Sequence, residues 1–124
     1  MTLFLPSLAP EIMARAFRSA NGEFGVLPAD AVAFLDACEA KGIRVLGWEL
    51  WLADHKFYAG AERPVRAAGS WCGLIPLRGE AQPAVIAGSG DLATTRQQIA
   101  ALDLDRMVDP PWRAAIRVNI TLDD

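Results

Sequence analysis

The chain holds a single histidine and two cysteines among 124 residues, which leaves little material for side-chain chemistry. A nucleophile–histidine relay, a histidine metal pair or an imidazole acid/base device would have to rest on His55 alone. Its neighbours Asp54 and Lys56 make that tripeptide read as a solvated turn. Cys38 falls in a helical pattern and Cys72 in a strand-like one, and neither has the C-x-x-C spacing of metal or redox sites. Both are expected as reduced core residues, since a core of this size needs no Cys38–Cys72 disulfide. With no H-x-x-x-H and no calcium-loop pattern, no metal or cofactor is expected.

Long apolar runs are missing too. No stretch of about 18 apolar residues occurs, which excludes a helical membrane span. Met1–Pro6 is apolar, but it has no basic flank and Pro6 and Pro10 interrupt it, so it does not read as a signal peptide. The expected location is the cytosol of a bacterium-like cell. A basic excess is also absent: 15 Asp and Glu against 12 Lys and Arg give a net charge of −3. Phosphate neutralisation needs a basic patch, so nucleic acid is not an expected partner, and a charged partner is expected to be basic.

What the chain does have is apolar content, 52% hydrophobic against 22% charged, which suits a single folded domain spanning residues 1–124. From Pro10, the residues Met13, Ala16, Phe17 and Ala20 recur at helical spacing up to Asn21–Gly22, which predicts a first helix. Pro28 then opens a second helix with the stripe Ala31, Phe34, Leu35, Cys38 and a stop at Lys41–Gly42. The run 43–52 is apolar on both pleat faces apart from Arg44 and Glu49, as a central strand would be. Residues 53–68 are polar, contain Gly60 and Pro64, and read as a long loop or an irregular excursion.

Two short apolar runs, 69–77 and 83–87, flank a turn at Arg78-Gly79-Glu80 and predict an antiparallel pair, with Pro76 and Pro83 at strand ends. Ser89-Gly90-Asp91 offers an N-cap for a third helix carrying Leu92, Thr95, Ile99 and Leu102. Asp109-Pro110-Pro111 should break the chain. Ile116, Val118, Ile120 and Leu122 alternate with Arg117, Asn119, Thr121 and Asp123, a strand with one wet face. The sum is an α+β fold: about four strands, mixed or antiparallel, with three helices.

Three features bear on function. Gly88-Ser89-Gly90 before a helix could cradle an anion, but it lacks the P-loop lysine, and Asp91 suits a plain cap better than a phosphate. Glu49 lies among apolar residues between Trp48 and Trp51. It either faces solvent, pairs with Arg66 or Arg117, or acts as a general acid/base. The odd spacing of Trp48 and Trp51 puts them on opposite sheet faces, so one is expected in the core and the other on a second covered face or exposed. Phe57 and Tyr58, beside Glu62 and Arg63, sit where burial is hard and contact is easy.

The segment Phe24 to Leu52, a helix, a glycine turn and a strand ending in Gly47-Trp48-Glu49-Leu50-Trp51, resembles small bacterial immunity proteins of polymorphic toxin systems. The likeness covers about a quarter of the chain. It implies a cytosolic inhibitor that binds a cognate toxin over or near the toxin's active site, with no catalysis of its own. For such a binder, affinity concentrates in a few aromatic and charged side chains, here Glu49, Trp51, Asp54, Phe57, Tyr58 and Glu62. The competing expectations are a regulatory or assembly domain that joins copies of itself or a larger complex, and a small enzyme built on Glu49.

Overall fold

The computed structural model describes residues 8–123, so the expectation for Met1–Pro6 falls outside the described residues. Among the described residues it shows an α+β fold with five α-helices and an antiparallel sheet of about four strands. Helix α1 (Pro10–Arg15) starts on a proline and buries Ile12 and Met13. It is shorter than the sequence suggests. Ala16 turns extended, and β1 (Phe17–Arg18) pairs with β2 (Phe24–Gly25) around a turn that includes Asn21 and Gly22. Phe17 finds its apolar partner across the fold, edge-on to Trp51 at 6.1 Å, so helical spacing there reflects no helix.

Pro28–Asp30 forms a 3-10 turn that leads into α2 (Ala31–Ala40). Ala31, Phe34, Leu35 and Cys38 are fully buried, as the stripe predicts. Gly42 takes φ +69, and the amides of Gly42 and Ile43 return to the carbonyls of Glu39 and Cys38. This double bond pattern closes the helix and launches the next strand without slack.

That strand, β3 (Arg44–Lys56), is the central one, with 13 residues. Strand β8 (Ile116–Asp123) runs antiparallel along one side of it from Arg44 to Leu52. On the other side, β7 (Ala87–Ser89) pairs with Gly47–Glu49 and β4 (Val65–Cys72) with Leu52–Lys56, so the two lie end to end. One face carries Trp48, Leu50 and Leu52 opposite Ile120, Val118 and Ile116, all in the main core with α2. The alternation expected for β8 holds.

Half of the long loop expected over 53–68 is strand, residues 53–56 in β3 and 65–68 in β4. A bulge at Asp54 (φ +59), whose Oδ1 accepts the Gly69 amide at 2.8 Å, lets β3 and β4 stay paired past it. Only residues 57–64 remain outside both strands. The expected pair 69–77 with 83–87 shrinks to β5 (Leu74–Ile75) against β6 (Ala84–Val85), because 69–72 and 87 are drawn to β3. Pro76 and Pro83 do sit at the strand ends.

Helix α3 (Leu92–Ala100) starts at Asp91, whose carboxylate accepts the Thr94 amide at 2.9 Å. Two one-turn helices follow, α4 (Leu104–Met107) and α5 (Pro110–Arg113). The break expected at Asp109-Pro110-Pro111 falls at Val108 and Asp109, both extended, and Pro110 then opens α5, because proline suits the first helical position, where no amide is needed. No helix among the described residues is long and apolar enough to cross a membrane.

Candidate functional site

The second face of β3 carries Glu49, Trp51 and Ala53, opposite Asn119 and Arg117 of β8. Trp51 is fully buried there. It stacks on Trp71 of β4 with centroids 4.2 Å apart and planes 10° from parallel. Gly25 lies so close that an added Cβ would meet the Trp51 ring at 3.2 Å and Arg117 Cβ at 2.9 Å. This burial corrects the placing of Trp51 on a contact surface: in the isolated chain β1, β2 and β4 already cover it.

Glu49 is half-buried, and its Oε1 accepts the Trp51 indole N–H at 2.9 Å. Neither expected arginine pairs with it among the described residues. Arg66 stands opposite His55, and the Arg117 Nη1 donates to the carbonyls of Ala114 (2.9 Å) and Ile116 (2.8 Å). Burial pushes the Arg117 guanidinium below its ordinary pKa, against the pull of Asp54. The arrangement fixes a carboxylate by an indole.

His55 also departs from expectation. It is 6% exposed, its ring meets Trp112 edge-on at 5.4 Å, and its Nδ1 lies 2.6 Å from the Ala53 carbonyl, to which it donates. The bulge at Asp54 turns the ring inward, where a regular strand count fails. Asp54 itself is half-buried and committed to the Gly69 amide.

The glycines of 88–90 serve close approach rather than anion binding. A Cβ on Gly88 would strike Gln98 Oε1 and the Trp48 Nε1, two groups joined by a 2.8 Å hydrogen bond. Asp91 occupies the helix start, and its bonds to Thr94 hold its carboxyl below the usual range. Cys38 and Cys72 are free and buried, and burial pushes the Cys38 thiol up to about 11. Among the described residues no cluster of three metal-ligating side chains occurs.

The remaining candidates share one loop. Phe57 is half-buried and packs against the core, Tyr58 is 49% exposed, and Glu62 is exposed. The loop is thus rooted by one aromatic ring and presents the other. Glu62, Arg63 and Pro64 line a cavity of about 170 Å³ with Pro76, Leu77, Gly79, Glu80, Ala81, Pro83, Asp109 and Trp112. Nothing in the order of residues announces this meeting of three distant segments; Pro76 and Pro83 were legible only as strand ends.

The comparisons with known proteins give one result. The chain matches no family model, no curated protein and no solved structure. The site must therefore be read from its own geometry. It divides in two, a covered Trp51–Glu49 face that holds the sheet and an outward loop at 57–64 beside a small cleft.

Proposed function

We propose that this chain is an immunity-type binding protein, which docks on a cognate bacterial toxin and neutralises it without catalysis of its own. The observation that carries the reading is the loop at 57–64, anchored through Phe57 and offering Tyr58 and Glu62 to solvent. Tyrosine exposed on a fixed base is a common interface anchor, because it contributes area with few rotamers to freeze. The net charge of −3 suits a basic partner, since opposite charge speeds encounter. The likeness of Phe24–Leu52 to immunity proteins adds to this, and that segment contains α2 and most of the central strand.

Co-expression with the product of the neighbouring gene tests the reading. Relief of that product's toxicity together with a complex stable to gel filtration supports it. A harmless neighbour that does not bind overturns it. One observation favours a second reading, an assembly module: β4 ends the sheet and leaves Val65 46% exposed beside an edge. Light scattering across a hundredfold concentration range separates the two, because self-pairing raises the mass and a monomer stays constant.

A further inference from the structure

The hairpin of β1 and β2 turns on three exposed residues, Ala20, Asn21 and Gly22. The Ser19 amide donates to the Glu23 carbonyl at 2.9 Å and closes its base, and the Gly22 amide donates to the Ser19 carbonyl at 3.0 Å and closes its tip. Gly22 stands at φ +85, the left-handed position that ends such a three-residue loop. A Cβ added there would meet nothing within 4 Å, so the glycine serves the backbone conformation and leaves open space around it. The Asn21 side chain is held only at the surface, its Nδ2 donating to Glu23 Oε1 at 3.3 Å. The chain's other asparagine, Asn119, differs on every count. It lies in β8 before the β-branched Ile120, is half-buried, and donates its Nδ2 to the Phe24 carbonyl at 2.8 Å.

We propose that Asn21 is a site of spontaneous deamidation, and that the isoaspartate it yields undoes the turn of the hairpin that covers Trp51. Asparagine is among the thermolabile residues, and a following glycine sets no side chain beside the attacking nitrogen. The Gly22 nitrogen, after loss of its proton to hydroxide, attacks Asn21 Cγ. The new C–N bond closes a succinimide ring as the Cγ–Nδ2 bond breaks and ammonia leaves. Water then opens the ring at either carbonyl, to aspartate or isoaspartate. In the closed turn the Gly22 proton is held in the bond to Ser19, so the reaction runs through the opened turn. Only two residue pairs, Phe17 with Gly25 and Arg18 with Phe24, join the strands, which places the turn at the low end of local stability. Isoaspartate routes the main chain through the former side chain and adds one carbon to a loop of three residues, so the Gly22 amide loses its reach to Ser19. The turn borders a cleft of about 250 Å³ that Asn21 and Trp71 both line, and the strands set Phe17 and Gly25 against the Trp51 ring. Conversion at Asn21 therefore acts on the cover of the Trp51–Trp71 stack.

The test ages the full chain at pH 6 and pH 8, in buffer and in urea, and follows its peptides by mass spectrometry with electron-transfer fragmentation, which separates aspartate from isoaspartate. Conversion of Asn21 in buffer with Asn119 intact, faster at pH 8 and at least threefold faster again in urea, is the expected result. No conversion of Asn21 in buffer, conversion of Asn119 at a matching rate, or a rate that urea leaves unchanged overturns it. The isoaspartate form, isolated by ion exchange, is then compared with fresh chain by amide hydrogen exchange. Faster exchange at the Ser19 and Gly22 amides, with α2 unchanged, is expected; an identical profile overturns the effect on the hairpin. Asn21→Asp supplies the charge beside Glu23 without the extra carbon and should keep the exchange of the fresh chain. Exchange as fast as in the isoaspartate form would overturn the lengthened loop as the cause.

Discussion

Trp51 and Trp71 stack face to face across β3 and β4, 4.2 Å between centroids and 10° from parallel, on the sheet face turned away from the helical core. The contact ties together two strands whose backbone pairing is interrupted at the Asp54 bulge between Ala53 and His55. Aromatic pairs contribute about 0.5–1.5 kcal/mol beyond their buried area. A double-mutant cycle with Trp51→Leu and Trp71→Leu, read by urea unfolding, should return a coupling in that range. Additive effects would show that the rings are neighbours without being partners.

Gly47 is required by a close backbone crossing. A Cβ there would lie 2.5 Å from the Gly88 carbonyl oxygen and 3.1 Å from Ser89 Cα, and backbone atoms in a paired strand have no flexible end to move aside. Gly47→Ala should cost about 1–3 kcal/mol, as overpacking does, with increased amide exchange concentrated in β7. A variant of unchanged midpoint would mean that β7 yields freely.

Both thiols should be inert in the folded protein. Cys38 is fully buried with its pKa raised to about 11, and burial raises Cys72 as well, against a backbone hydrogen bond from Leu74. The thiolate is the reactive form. Iodoacetamide at pH 8, followed by mass spectrometry, should give no adduct in native buffer and two in urea. Rapid double labelling of the native chain would contradict the burial.

Asp91 makes part of the stability pH-dependent. Its folded-state pKa lies below the ordinary aspartate value, chiefly through the Thr94 amide. The ionised cap therefore stabilises fully above the unfolded-state value, and its contribution is lost as pH falls through the lower folded-state value. Asp91→Asn keeps the cap without the charge, so the gap between wild type and variant in urea midpoint should be constant from pH 7 to 5 and close toward pH 3. A gap that stays constant through pH 3 would place the effect elsewhere.

Local signals were the legible ones. The α2 stripe with Gly42, the Asp91 cap and the alternation of β8 each act within a few residues, and each stands in the structure as it reads in the chain. The α1 stripe misled because Phe17 is satisfied by Trp51, 34 positions away, and not by its own turn. Likewise the two ends of the polar stretch after Leu52 became strand, since the Asp54 side chain capping the Gly69 amide lets the pairing resume past the bulge. The candidate site was half legible. The exposed Tyr58 could be found by type and position, but Trp51 could not be known to be covered until β4 was placed beside it.

By itself, then, the sequence determined the α+β class, the central strand and the scarcity of reactive side chains, for these follow from composition and from periods of two and 3.6 residues. Tertiary structure alone decided which strands flank β3, where its bulges fall, which tryptophan face is covered, and that residues 62–64, 76–83 and 109–112 close one acidic cleft. Those outcomes depend on pairing between residues far apart in the chain, whose energy comes from packing that no short window of sequence contains.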